Sequence, residues 1–195
     1  MKTTSQKLLK ALQIATVALL TVAATDAAAG VKFRIVYNAT NSNYVVYMKP
    51  DTVPNPDILL SSQITFVAPH SATQPFQITN LKSAVTNVNW MQHSRVDAPV
   101  ENTAADYISI GYYANGVTPK FNWVANTEKK ILTFTSPQGC VAGLKLMANS
   151  DPFNQLPNSV DTNPGNEFTN LGWGMNNAYT GNYGTAVTCP TTTVM

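Results

Sequence analysis

The chain has 195 residues, and 11% of them are charged, well under the usual quarter. Its formal charge of +2 comes from three lysines that precede an uncharged apolar run: Lys2, Lys7 and Lys10, then Ala11 to Thr25 and Ala27-Ala28-Ala29. A basic start, an apolar stretch too short to span a bilayer and an A-x-A site are typical of a secretory signal peptide. We therefore predict a signal peptide over residues 1–29, one domain over residues 30–195, and secretion to the cell surface or the extracellular space.

Cleavage after Ala29 leaves 166 residues with nine basic and nine acidic side chains, so the formal charge of the mature chain is zero. A neutral domain argues against nucleic acid and against anionic membrane surfaces as partners. No second apolar run follows, so we predict no transmembrane anchor. The low charge would oppose self-association only weakly, which leaves self-assembly open.

Short alternating runs separated by Pro, Asn and Gly indicate β-strands throughout the mature chain, and helical periodicity is almost absent. The predicted strands cover residues 31–37, 44–48, 63–68, 106–114, 121–124, 130–135, 141–147 and 183–188, with shorter candidates at 76–78 and 85–90. Asn115-Gly116 predicts a hairpin between the strands at 106–114 and 121–124. Residues 148–184 show no period and predict a long ordered loop. This pattern indicates an all-β chain folded as a single β-sandwich.

The first strand allows two interpretations because it begins directly after the predicted cleavage site. It presents Val31, Phe33 and Ile35 to one face and positive charge to the other. It either completes its own sheet or adds to an exposed edge of a neighbouring copy, which would build a filament.

Cys140 and Cys189 are the two cysteines of the chain. An isolated pair in an exported protein predicts one disulfide, worth about 4 kcal/mol in the chain-entropy model. The alternative is a pair of reactive or metal-binding thiols, for which no third or fourth ligand is present.

Several stretches of the mature chain resemble a family of uncharacterised secreted bacterial domains: residues 63–69, 106–110, 132–135, 139–140, 144–147, 149–153, 157–159 and 163–166. These domains are similar to cohesin-type and carbohydrate-binding-module-type sandwiches. The resemblance implies a nine-stranded jelly-roll that serves extracellular attachment or assembly and has no catalytic activity. The sequence itself also argues against catalysis. Ser94, His93 and Asp97 have the residue types of a Ser-His-Asp triad, but no Gly-x-Ser-x-Gly elbow accompanies them.

Oxygen-bearing side chains in the C-terminal part make calcium the one cofactor that the sequence offers. The candidate ligands are Asp151, Asp161, Asn163 and Glu167. Calcium takes six to eight oxygen ligands and often rigidifies long extracellular loops. A plain Asn-Pro-Gly turn explains the same residues, and that alternative stays open.

Aromatic residues alternate with Asn and Gly in the same region. The candidate ligand-binding residues are Trp173, Tyr179, Tyr183 and Asn176. Aromatic faces flanked by amides suit sugar rings, whereas burial of the same rings would merely extend the core. We therefore expect a non-catalytic extracellular β-sandwich for attachment or assembly, with an extracellular protein or polysaccharide as partner. The alternative function is a glycan-binding module that uses the loop around Trp173.

Overall fold

The computed structural model describes residues 29–191, so the predicted signal peptide lies, except for Ala29, outside the described residues. Ten strands form in this part of the chain: β1 Val31–Asn38, β2 Asn43–Pro50, β3 Leu59–Pro69, β4 Thr79–Ser83, β5 Asn89–Asp97, β6 Ala105–Tyr113, β7 Lys129–Thr135, β8 Lys145–Leu146, β9 Glu167–Asn170 and β10 Tyr179–Asn182. Two short 3-10 helices cover Pro152–Asn154 and Leu171–Trp173. The prediction of an all-β chain is confirmed. Across residues 29–191, no helix has the length and hydropathy that a membrane crossing requires.

The strands form two five-stranded sheets. Sheet A has the order β10-β1-β2-β7-β4, and sheet B has the order β5-β6-β3-β8, with β9 paired to the first half of β3. Strand β1 pairs with β2 in antiparallel fashion from Val31 to Asn38 and with β10 in parallel fashion. The first strand thus completes its own sheet, which is the first of the two interpretations given above.

The alternation of apolar and polar residues places one face of each sheet in a shared core. Phe33 and Val46 of sheet A and Ile108 of sheet B are fully buried in one cluster. The Phe66 ring of sheet B meets the Phe134 ring of sheet A edge-on, with centroids 5.0 Å apart. The two sheets therefore pack face to face, and apolar burial between them stabilises the fold.

The predicted hairpin at Asn115-Gly116 is wrong. Strand β6 pairs with β5 on one side and β3 on the other, so it has no free edge for residues 121–124. These residues form no strand; instead Phe121 and Trp123 bury their rings in the core. The Asp57 carboxylate holds this segment by accepting bonds from Phe121 N at 2.8 Å and Asn122 N at 3.1 Å.

The C-terminal strands also differ from the prediction. The strand expected at residues 141–147 is reduced to Lys145–Leu146, and none forms at 183–188. Strands β9 and β10 lie instead inside the segment predicted as a long loop. The Asn177 side chain joins them, because its Oδ1 accepts bonds from Phe168 N and Tyr179 N. Strands of four residues that depend on side-chain hydrogen bonds leave no alternating pattern in the sequence.

Candidate binding face on sheet A

The outer face of sheet A gathers basic side chains because of strand alternation. In β1, Val31, Phe33 and Ile35 point into the core, which turns Lys32 and Arg34 outward. In β2, Tyr44, Val46 and Met48 point inward, so that Tyr47 and Lys49 lie on the outer face. The register sets Arg34 opposite Tyr47 and Lys32 opposite Lys49.

The same face continues across β7 and β4. Lys130 pairs with Tyr47, and Lys82 pairs with Thr133, which itself lies opposite Val45 of β2. We call this surface the basic face, defined by Lys32, Arg34, Lys49, Lys82 and Lys130 with the rings of Tyr47 and Tyr183. It collects five of the nine basic residues that follow Ala29.

Tyr183, which follows β10, lies among the cations of this face. The Arg34 guanidinium lies 5.7 Å from the centre of its ring and the Lys49 ammonium 5.3 Å, which are cation–π distances. The Tyr183 hydroxyl donates to Glu128 Oε1 at 3.0 Å, and Arg34 Nη2 contacts Glu128 Oε2 at 2.7 Å. These contacts fix the ring on the β10 side of the basic face, against Arg34 and Lys49.

The same contacts shift two pKa values. Burial disfavours the tyrosinate, and the hydrogen bond to Glu128 disfavours it further, so the pKa of Tyr183 rises well above its usual range. Burial alone would lower the pKa of Arg34, but its hydrogen bond and charge interaction with Glu128 outweigh that effect and raise it. At neutral pH the face therefore carries a neutral phenol beside a permanent cation.

The lysines of the basic face have no carboxylate partners in the described part of the chain. Arg34 and Arg95 form ion pairs with carboxylates, whereas none of the seven lysines within residues 29–191 does. Lys32 and Lys49 stand directly opposite each other, and like charges at such a cross-strand pair are destabilising. A sheet that keeps this arrangement accumulates positive potential on its outer face.

The carboxylates are used differently, as acceptors for backbone N–H groups. Five of the nine acids after Ala29 do this: Asp51, Asp57, Glu101, Asp106 and Asp151. The mature chain is thus neutral by formal count but basic on this surface. The zero net charge, which argued against nucleic acid and anionic membrane surfaces as partners, does not describe the basic face.

Two small depressions lie beside Tyr183. One, of about 140 Å³, is lined by Arg34, Lys145, Asn182 and Tyr183 among others. The second, of about 150 Å³, is lined by Gly30, Lys32, Lys49, Pro50, Asp51, Asn126 and Thr180. Both combine ammonium or guanidinium groups with amide or hydroxyl groups, and the second also contains the Asp51 carboxylate, so that cations outnumber anions in each.

The structure separates the aromatic residues that the sequence analysis grouped. Trp173 packs at the edge of the core, with its ring centre 5.8 Å from those of Trp123 and Phe168. Tyr179 is 6% exposed, its ring packs at a tilt against Phe33 with centroids 4.7 Å apart, and its hydroxyl donates to Met147 O. Asn176 is exposed. Only Tyr183 belongs to the basic face, so the four residues do not form one sugar-binding platform.

The candidate calcium ligands are also divided between places. The Asp151 carboxylate accepts from Tyr107 Oη at 2.8 Å and caps the 3-10 helix at Pro152–Asn154. Glu167 accepts from Ser61 and Thr169, and shares a polar cleft of about 310 Å³ with Asn163. Asp161 is exposed, with a φ of 48°. No group of three or more His, Cys, Asp or Glu converges in residues 29–191, and calcium binding stays a prediction.

The two cysteines are bonded to each other. The Cys140–Cys189 disulfide joins the segment after β7 to the chain beyond β10, 49 residues later. This confirms the predicted disulfide, and no free thiol remains in the described part of the chain.

One polar cluster was missed by the sequence analysis. Asp106 is fully buried, with Oδ1 2.6 Å from His70 Nδ1 and Oδ2 3.5 Å from Arg95 Nη2. Its Oδ1 also accepts from Ala98 N. The cluster ties the ends of β3, β5 and β6 together. Because His70 and Asp106 are 36 residues apart, only the register of β3 with β6 reveals the pair. Asp97, from the Ser-His-Asp set considered above, is paired with Arg95 at 2.8 Å.

Comparisons with known proteins give no relative from which a role could be transferred: no family model, curated protein sequence or solved structure matches this chain.

Proposed function

We propose that this chain is a non-catalytic extracellular β-sandwich protein that attaches to, or helps assemble, extracellular material, and that the basic face makes the attachment. The observation that carries the proposal is the set of unpaired lysines on one sheet face, above all the opposed pair Lys32 and Lys49. Such an arrangement costs stability in the free protein, and an anionic ligand would relieve it. The disulfide and the lack of a membrane-spanning helix in residues 29–191 are compatible with an extracellular location.

The ligand that suits the face best is an acidic polysaccharide. Its carboxylate or sulfate groups would pair with the lysines, while a sugar ring would lie against Tyr183, which Arg34 and Glu128 hold in place. Amide and hydroxyl groups of Asn126 and Thr180 border the second depression and suit sugar hydroxyls. A neutral polymer would leave the cations uncompensated.

We further propose that the sandwich is a jelly-roll of the cohesin-like and carbohydrate-binding-module-like kind. Two packed five-stranded sheets support this classification, although the ten strands exceed the nine that the resemblance implies. Self-assembly through donation of the first strand has little support, because β1 is already paired on both sides.

The alternative, a glycan-binding module at the loop around Trp173, has weaker support. The Trp173 ring packs against Trp123 and Phe168, and Tyr179 is buried. A neutral glycan would have to reach rings that the core already uses.

Co-sedimentation with polymers of different charge tests the proposal. We expect the mature protein to bind a polyuronate and a sulfated polysaccharide but not a neutral glucan, and added salt to weaken the binding. The double variant Lys32→Glu with Lys49→Glu should lose at least tenfold in affinity. Lys120→Glu is the matched control, because Lys120 is exposed in the β6–β7 connection and lines neither depression, and this variant should bind as the wild type does.

Four outcomes would contradict the proposal. Equal binding to the neutral glucan would remove the charge argument, and full binding by the double variant would remove the basic face. Loss of binding in Trp173→Ala alone would favour the glycan-binding alternative. Stronger binding to single-stranded DNA than to either acidic polysaccharide would assign the face to nucleic acid instead.

A further inference from the structure

The start of the predicted mature chain lies in a site of its own. Gly30 N donates to Asp51 Oδ1 at 2.7 Å, and Asp51 N donates back to Gly30 O at 2.9 Å. Val31 N then donates to Ala178 O at 2.8 Å, so that the chain enters β1 directly after Gly30. The nitrogen of Gly30 is therefore held against the Asp51 carboxylate. The predicted cleavage would make this same nitrogen the new N-terminus.

The site fits glycine. A Cβ atom on residue 30 would lie 2.5 Å from Thr180 Cγ2 and 3.1 Å from Asp51 Oδ2. Contacts that short force a neighbour to move, so a larger residue would displace Thr180 or the Asp51 carboxylate.

The geometry points to a processing-dependent N-terminal site, in which hydrolysis of the Ala29–Gly30 bond creates an ammonium that docks on Asp51. A signal peptidase would add water across this amide, leaving a carboxylate on Ala29 and an α-ammonium on Gly30. Before cleavage the nitrogen offers one neutral N–H to Asp51. After cleavage it offers three donors and a positive charge, which converts the contact into a charge-assisted ion pair.

The docked ammonium has a consequence for the basic face. Asp51 lines the same depression as Lys32 and Lys49, and it is the one acid among those lining residues. Pairing with the Gly30 ammonium would neutralise that carboxylate, the one negative charge among the residues lining this depression. Removal of the signal peptide would therefore raise the net charge of the depression by about one positive charge, and its electrostatic potential would become more positive. This consequence rests on the proposed function, whereas the docking itself does not.

The pH dependence follows from the ion pair. Asp51 favours the charged amine, while Lys32 and Lys49, the other ionisable residues lining the depression, oppose it from farther away. With direct contact at 2.7 Å, we expect the pKa of the Gly30 amine to lie above the ordinary value of about 7.7–8.0. A group whose pKa is raised on folding stabilises the fold fully below its unfolded pKa. The effect is lost as the pH rises through the folded pKa.

Thermal melting of the mature protein with a free or an acetylated Gly30 amine tests the docking. At pH 6.5 the free-amine form should melt about 2 °C higher, and near pH 10 the two forms should melt together. Asp51→Asn should abolish the difference at pH 6.5. Asp161→Asn is the control, because this exposed carboxylate lies in the C-terminal region, outside the depression, and it should preserve the difference.

Equal melting of the free and acetylated forms at pH 6.5 would overturn the inference, and so would an intact mass or N-terminal sequence showing that the secreted chain begins elsewhere. Neither result bears on polymer binding by the basic face, so the docking and the proposed function can fail separately.

Discussion

Polar side chains serve opposite purposes on the basic face and in the C-terminal region, residues 140–191. In the C-terminal region they bond to the backbone: the buried Asn166 joins β3 to the segment after β8, and the exposed Asn177 joins β9 to β10. On the basic face the lysines turn outward, and none finds a carboxylate within residues 29–191. Buried amides that satisfy backbone groups stabilise a fold, whereas unpaired surface cations contribute little or oppose it.

This difference distinguishes polar side chains that stabilise the fold from polar side chains that remain free to bind a ligand. The composition of the chain does not make this distinction. A side chain that satisfies a buried donor is explained by the fold alone. A like-charged pair such as Lys32 and Lys49 does not stabilise the fold, and the proposed attachment to an anionic ligand would explain it.

The largest effect is expected from Asn166→Ala. The Asn166 side chain is buried, accepts from Thr65 N at 2.8 Å and donates to Met147 O at 2.7 Å. Its removal leaves the buried Thr65 N–H without a partner, so we expect the free energy of unfolding to fall by about 2 kcal/mol in denaturant titrations. Asn176→Ala, which truncates an exposed amide in the same region, should change it by less than about 0.5 kcal/mol. Equal effects of the two variants would refute the structural role of the buried Asn166 amide.

The smaller effect is a gain in stability on the basic face. Lys32→Glu converts the like-charged pair with Lys49 into an opposite-charged pair, which should raise the free energy of unfolding by about 0.2–1 kcal/mol. Lys120→Glu should leave it unchanged, because this residue has no cross-strand partner. If Lys32→Glu lowers the stability, the lysine serves the fold, and the contrast between the two regions disappears.

The sequence predicts the well-patterned parts of the fold and little of the site. Strands β1 and β6 are long and alternate clearly, and each of their bounds was predicted to within one residue. The strand predicted over residues 63–68 is longer in the structure, where β3 covers Leu59–Pro69. Strands β9 and β10 have four residues each and depend on Asn177, whose bonds join distant backbone groups. The basic face needs the registers of β1 with β2 and of β2 with β7, which no local pattern specifies. Outward positive charge on β1 was visible in the sequence, but its partners Lys49 and Lys130 were not.

Lysine footprinting with an acidic polysaccharide tests the central claim most directly, because each lysine reports separately within one molecule. The mature protein would be acetylated under limiting reagent with and without a polyuronate, and the seven modified positions quantified by mass spectrometry. We expect Lys32, Lys49 and Lys130 to react several-fold more slowly in the complex, while Lys120 reacts at its free rate. Equal protection of all seven lysines would contradict the account. Protection of Lys120 with no protection of the lysines on the basic face would also contradict it.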